Sequence, residues 1–151
     1  MQIGALSVSL APMFVLNETL AADTVELERR PLCLALLMND SRYPWLILVP
    51  RRSGLRELHD LTPTEQSTLM EEISRASRAL EKAFAPAKIN VAALGNVVEQ
   101  LHVHVVARFR NDAAWPGPVW GKLPPKPYGA EDMAEISARI KSALNAGSRK
   151  K

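Results

Sequence analysis

Two of the chain's three histidines, His102 and His104, stand two residues apart in the run EQLHVHVVARFR, residues 99–110. Side chains on a strand alternate between faces, so Gln100, His102 and His104 would share one face and Leu101, Val103 and Val105 the other. Imidazole titrates near neutral pH and has two distinct ring nitrogens. When one nitrogen is held protonated by a hydrogen bond, the other can attack phosphorus. A second imidazole alongside can hold the phosphoryl oxygens or protonate the departing group. Two other arrangements fit the same residues. A zinc site would need a third ligand beside the H-x-H pair, with His59, Glu99 and Asp112 as candidates, none at a characteristic spacing. A solvated strand face would need nothing further.

The elements that must position this pair can be read from periodicity and turn chemistry. The runs PLCLALLM (31–38) and WLILVP (45–50) flank NDSRYP, whose residues favour turns, and predict an antiparallel hairpin. In residues 61–84, Thr62, Pro63 and Glu65 form a helix-start signature with a capping box. Leu69, Ile73, Ala76, Leu80 and Phe84 then make one apolar stripe, predicting about six helical turns ending near Pro86. Residues 88–94 and 97–108 predict two strands joined by a turn at Gly95-Asn96. Residues 111–129 carry five prolines and predict a long irregular segment. Its Trp115 and Trp120 would pack on the core or shield the site, there or in a partner subunit. A last helix is expected over about Ala130 to Leu144, with Met133, Ile136, Ile140 and Leu144 on its stripe. Residues 12–23 hold a short helix or strand. Hairpins with helices on one face give an α+β domain.

Composition narrows the classes. With 47% hydrophobic and 23% charged residues the chain suits a globular fold, expected as one domain over 1–147 followed by a basic tail, 148–151. The tail's Arg149, Lys150 and Lys151 match the formal charge of +3, so the body carries no broad basic face for nucleic acid. The single cysteine, Cys33, excludes an internal disulfide and a CxxC motif, and its apolar setting predicts a packed thiol. No run of eighteen apolar residues predicts a membrane span, and the apolar N-terminus lacks a basic n-region, so a cytoplasmic protein is expected. His59 is expected at the surface, and Arg51 and Arg52 are candidates for phosphate contact.

The segment QLHVHVV, residues 100–106, resembles the histidine triad motif H-x-H-x-H-x-x of the HIT superfamily of nucleotide hydrolases and transferases, with Gln100 in place of the first histidine. LMNDSRYPWLILVPRR, RELHDLTPTE and GNVVEQ are similar to the family's nucleotide-binding hairpin, its passage into the helix and its approach to the triad. The likeness spans about residues 14–112 and is strongest to a bacterial branch described as HIT-like or diadenosine-polyphosphate-hydrolase-like. It implies a HIT-like fold, with an antiparallel sheet of about five strands and two main helices. It also implies a homodimer without an essential metal or other cofactor.

For the site, the resemblance implies that His102 is the nucleophile that forms a nucleotidyl-histidine at the α-phosphorus of a nucleoside phosphate conjugate, a dinucleoside polyphosphate or a phosphoramidate. His104 would contact the α-phosphate and the departing group. Gln100 would supply the backbone carbonyl that orients His102 and an amide able to bond a phosphate oxygen. Asn39 is implied as the ribose ligand, with Asp40 as the alternative. Asn90 and Asn96 are implied near the phosphates and leaving group. Ser53 stands where many relatives have another phosphate-contacting histidine. Loss of the first triad histidine leaves a second expectation open, a nucleotide-binding module with weak or no hydrolysis.

Overall fold

The polar stretch Asn39–Pro44 turns the chain back between two apolar strands, β2 (Cys33–Met38) and β3 (Trp45–Pro50), which pair antiparallel from Cys33 opposite Pro50 to Leu37 opposite Leu46. In this computed structural model, which describes residues 12–146, the hairpin is the middle of a five-stranded antiparallel sheet of order β1-β2-β3-β5-β4. The other strands are β1 (Thr24–Arg29), β4 (Lys88–Ala92) and β5 (Val103–Arg108). The basic tail and the first eleven residues of the expected domain lie outside the described residues.

Helix α2 (Pro63–Phe84) begins as its sequence requires. The Thr62 hydroxyl accepts from the Glu65 N–H at 3.2 Å and the Glu65 carboxylate accepts from the Thr62 N–H at 3.0 Å, satisfying two otherwise orphaned donors. It ends where Ala85 turns left-handed (φ 46°) before Pro86. Leu69, Ile73, Ala76 and Leu80 are buried, with Phe84 packed at the margin. Helix α3 (Ala130–Ala146) adds Ile140 and Leu144 to the same core, against Cys33, Ala35, Leu37, Leu46, Leu48, Val103 and Val105 of the sheet. Cys33 is fully buried, and burial, together with the nearby Glu72 carboxylate, pushes its thiol up and keeps it protonated.

Three expectations change. Residues 12–23 contain a short helix, α1 (Glu18–Asp23), capped by the Asn17 side chain. It runs directly into β1, which the sequence did not announce. The β1 register shifts between Glu26 and Glu28, a bulge at Leu27; Leu27 is buried and Val25 is exposed. The expected strand 97–108 shortens to β5, because residues 97–102 bond elsewhere: the Leu101 N–H donates to the Leu55 carbonyl at 2.9 Å. Gly95 does turn, with φ +74°, but within a connection of residues 93–102 rather than a two-residue hairpin.

The sheet face opposite α2 and α3 carries a second core. Leu34, Leu36, Tyr43, Trp45, Ile47, Val49 and Val106 pack there under Leu20 and Val98, and under Ala114 and Val119 of the proline-rich segment. Arg108 pins that segment. Its guanidinium donates to both Asp112 carboxylate oxygens (2.8 and 3.0 Å), to the Asn90 side-chain oxygen (2.7 Å) and to the Gly117 carbonyl (2.8 Å).

Candidate active site

His104 lies in β5 and His102 immediately before it, and strand alternation turns both onto the second face. Their rings meet edge to face, with centroids 4.9 Å apart, and each residue is only 7% exposed. The two imidazoles are held differently. The His102 Nδ1 lies 2.6 Å from the Gln100 carbonyl oxygen. A carbonyl can only accept, so Nδ1 carries the proton and Nε2 keeps a free lone pair. The Trp45 indole N–H donates to the His104 Nδ1 at 3.0 Å. An indole can only donate, so His104 carries its proton on Nε2.

Register explains the second contact. On β3, Ile47 stands opposite His104 and Trp45 opposite Val106, so the indole reaches His104 along the diagonal of the ladder. Trp120, from the proline-rich segment of the same chain, packs edge to face against the same ring at a centroid distance of 5.4 Å and against Trp45 at 6.0 Å. Burial pushes the His104 pKa down to about 4, and the neighbouring His102 adds to the effect. His104 is therefore neutral at pH 7.

Both imidazoles border a cavity of about 520 Å³. Its apolar wall includes Met38, Leu94, Val119 and Trp120, and its polar groups include Thr19, Asp23, Asp40 and Asn96. A site of this size with few polar groups has the form of a small-molecule pocket.

The structure brings together His102, His104 and Asn96 of the residues singled out in the sequence. Asn39 does not line this cavity: its side-chain oxygen accepts the Tyr128 N–H at 2.9 Å and fixes the start of α3. Asp40 does line it, paired with Arg42 at 2.7 Å. Asn90 is taken by Arg108. Gln100 borders a separate recess of about 200 Å³ that also touches His102, Arg56 and His59, and its side chain is bonded to the Asn17 N–H and the Val15 carbonyl. Arg51 donates to the Arg30 carbonyl and Arg52 pairs with Glu65.

His59 is exposed, Glu99 pairs with Arg56 and Asp112 with Arg108. Among the described residues no group of three or more His, Cys, Asp or Glu is placed to hold a metal ion. Sequence reasoning missed Thr19, Asp23 and Trp45. Only Trp45 left a signal, an aromatic with a polar handle opening a strand.

Known proteins share this fold and parts of this sequence. The HIT domain family model matches residues 20–111. The chain is 38% identical over 81 residues to an AP-4-A phosphorylase of Mycobacterium tuberculosis, covering 47% of this chain and 41% of that protein. It is 29% identical over 72 residues to an asymmetrical bis(5'-nucleosyl)-tetraphosphatase of Schizosaccharomyces pombe, covering 44% and 39%. It thus spans less than half the length of these curated relatives. The crystal structure of a histidine triad protein from Marinobacter aquaeolei VT8 superposes with a TM-score of 0.87 at 50% identity, covering 89% of this chain and 98% of that one. The matched span runs from α1 past β5 and takes in the whole sheet with both imidazoles, and on that ground the chain belongs to the HIT domain family.

Proposed function

We propose that this protein is a nucleotide hydrolase or transferase that attacks the α-phosphate of a nucleoside phosphate conjugate through His102. One observation carries the reading. The 2.6 Å contact between His102 Nδ1 and the Gln100 carbonyl puts the proton of the neutral ring on Nδ1 and makes Nε2 the nucleophilic atom at the edge of a cavity sized for a nucleotide. The His102 Nε2 lone pair forms the bond to phosphorus as the bond to the departing group breaks. The positive charge then carried by the ring is shared with the Gln100 carbonyl through Nδ1–H. The His104 Nε2–H donates to a phosphoryl oxygen. Water or another acceptor hydroxyl then bonds to phosphorus and gives up its proton to solvent, as the P–N bond breaks and returns its electron pair to Nε2.

Met38, Leu94 and Trp120 suit a nucleobase, and Asp23, Asn96 and Thr19 are the polar groups within reach of a sugar or phosphate. The names of the two curated relatives support dinucleoside tetraphosphates as the first candidate substrates; nucleoside phosphoramidates are the other class the same chemistry would serve. A homodimer is supported by β4 at the edge of the sheet and by exposed Leu58, Met70 and Val91 close by. No described helix is long and apolar enough to cross a membrane, and a lone free cysteine suits a reducing compartment such as the cytoplasm.

His102→Ala tests the reading. Turnover should fall by more than about 10³-fold while the fold persists. Rapid quenching of the wild-type protein with substrate should leave acid-labile nucleotide on it. Full activity in the variant overturns the proposal. Binding of AMP by calorimetry with no product from adenosine polyphosphates or AMP-amine conjugates would identify a nucleotide-binding module instead.

A further inference from the structure

His104 meets substrate through Nε2, while its other ring nitrogen is bonded to Trp45. We infer that Trp45 is a positioning residue that locks His104 as the neutral Nε2–H tautomer, so that this histidine donates a hydrogen bond to the substrate but does not supply a proton to the leaving group. The inference rests on the hydrolase reading for its consequence and on geometry for its cause. The Trp45 Nε1 to His104 Nδ1 distance is 3.0 Å, and the indole has no lone pair in the ring plane to offer in return. Protonating Nδ1 would set two N–H groups against each other in a buried contact. Trp120 packs against both partners of this contact, its ring centroid 5.4 Å from that of His104 and 6.0 Å from that of Trp45, so the indole and the imidazole sit in one aromatic cluster.

The result is a matched pair of opposite tautomers on neighbouring rings. At His102 the bare nitrogen is Nε2, the atom that attacks; at His104 the bare nitrogen is Nδ1, turned into the sheet. The charged groups around the cavity do not reverse this. Asp40, from the β2–β3 connection, is neutralised by Arg42, and Asp23 lies at the exposed end of α1. His102 is itself a further cation if protonated. Gln100 has no titratable proton, and its amide is committed to the backbone of Val15 and Asn17.

A consequence for the leaving group follows. When His102 Nε2 bonds to phosphorus and the bond to a bridging phosphate oxygen breaks, the electron pair leaves on an oxygen that is stable as an anion. When the bond to a nitrogen breaks, the departing amine needs a proton, and neither His104 nor Gln100 supplies one. The site therefore favours phosphoric anhydrides over phosphoramidates of the same nucleotide, by about 10²-fold or more, the ordinary contribution of a general acid.

Nitrogen-15 spectra of the histidine rings in the full-length protein test the tautomer directly. The wild-type protein should show His104 protonated on Nε2 alone at pH 6. Trp45→Phe, which keeps an aromatic ring and removes the N–H, should show mixed tautomers and an imidazolium that forms nearer the ordinary histidine range. An imidazolium at pH 6 in the wild-type protein, or a proton on its Nδ1, overturns the inference without any variant being made. Unchanged His104 nitrogens in a folded Trp45→Phe overturn it as well.

In parallel, kcat/KM is measured for diadenosine tetraphosphate and for an AMP-amine conjugate. Preference for the anhydride in the wild-type protein, narrowing in Trp45→Phe, supports the leaving-group consequence, and equal rates in the wild-type protein overturn it. Absence of turnover on both, with the expected spectra, refutes the hydrolase reading and with it the leaving-group consequence while upholding the Trp45 lock.

Discussion

Gln100 and Asn17 are joined across 83 residues of chain: the Gln100 side-chain oxygen accepts the Asn17 N–H at 2.9 Å, and its amide nitrogen donates to the Val15 carbonyl at 2.8 Å. At the position where the triad motif has its first histidine, this protein has a clamp on the segment that leads into α1. The same residue's carbonyl orients His102, so one position serves two ends of the fold with different atoms.

Gln100→Ala removes both side-chain bonds and keeps the carbonyl. The loss should be about 1–2 kcal/mol, which lowers Tm by roughly 2–8 °C in a chain of this size. Hydrogen exchange at Asn17 and its neighbours should accelerate while β5 stays protected. Unaltered exchange at Asn17 would show that the segment is held by other contacts.

Arg108 and Asp112 are both almost fully buried and form a two-pronged ion pair. Burial works against the Asp112 carboxylate, but the Arg108 guanidinium and the Phe109 and Ala114 N–H groups outweigh it and hold its pKa below the ordinary range. Arg108→Met strands a buried carboxylate and should destabilise the fold by about 3–5 kcal/mol in urea titration. Replacing Asp112 by Asn in the same background should recover part of that loss, since the stranded charge is then gone.

Acid stability should carry the signature of His104. Its folded pKa, about 4, lies below the ordinary value of 6.5, so between these values the unfolded chain binds a proton that the native protein refuses. Stability is then complete above about pH 6.5 and falls as the pH drops towards 4. His104→Asn should flatten that part of the curve. Below about pH 4 a second decline, from Asp112, Asp40 and other carboxylates held at lowered pKa, should remain in the variant. Equal slopes in the two proteins between pH 6.5 and 4 would mean that His104 is not held neutral by the fold.

Much of the fold was legible where the physics is local. The Thr62, Pro63 and Glu65 cap, the stripe from Leu69 to Phe84 and the polar turn at 39–44 each depend on neighbours within a few residues, and each appears in the structure as read. Strand β1 was missed although Val25, Glu26, Leu27 and Glu28 alternate, because two apolar residues in a six-residue edge strand are a weak signal and only Leu27 of them is buried. The overlong strand at 97–108 failed for a related reason. An apolar run states that residues will be buried, not which backbone they will bond, and Leu101 bonds Leu55.

The site divides the same way. The sequence by itself determined the chemistry on offer, two imidazoles on one face, from the period of a strand; the carbonyl two residues before His102 was implied by the family resemblance, and the fold sets it against Nδ1. Only the tertiary structure decided which proton sits where and which polar groups surround the pair. Trp45 meets His104 because β3 and β5 are neighbours in a particular register, and Trp120 meets it because Arg108 ties down the proline-rich segment. Asn39 and Asn90 were spent on Tyr128 and Arg108, while Asp23 and Thr19 arrived at the cavity from a helix the sequence barely marked. Local spacing sets which groups a segment presents, but long-range packing sets which hydrogen bonds they are left free to make.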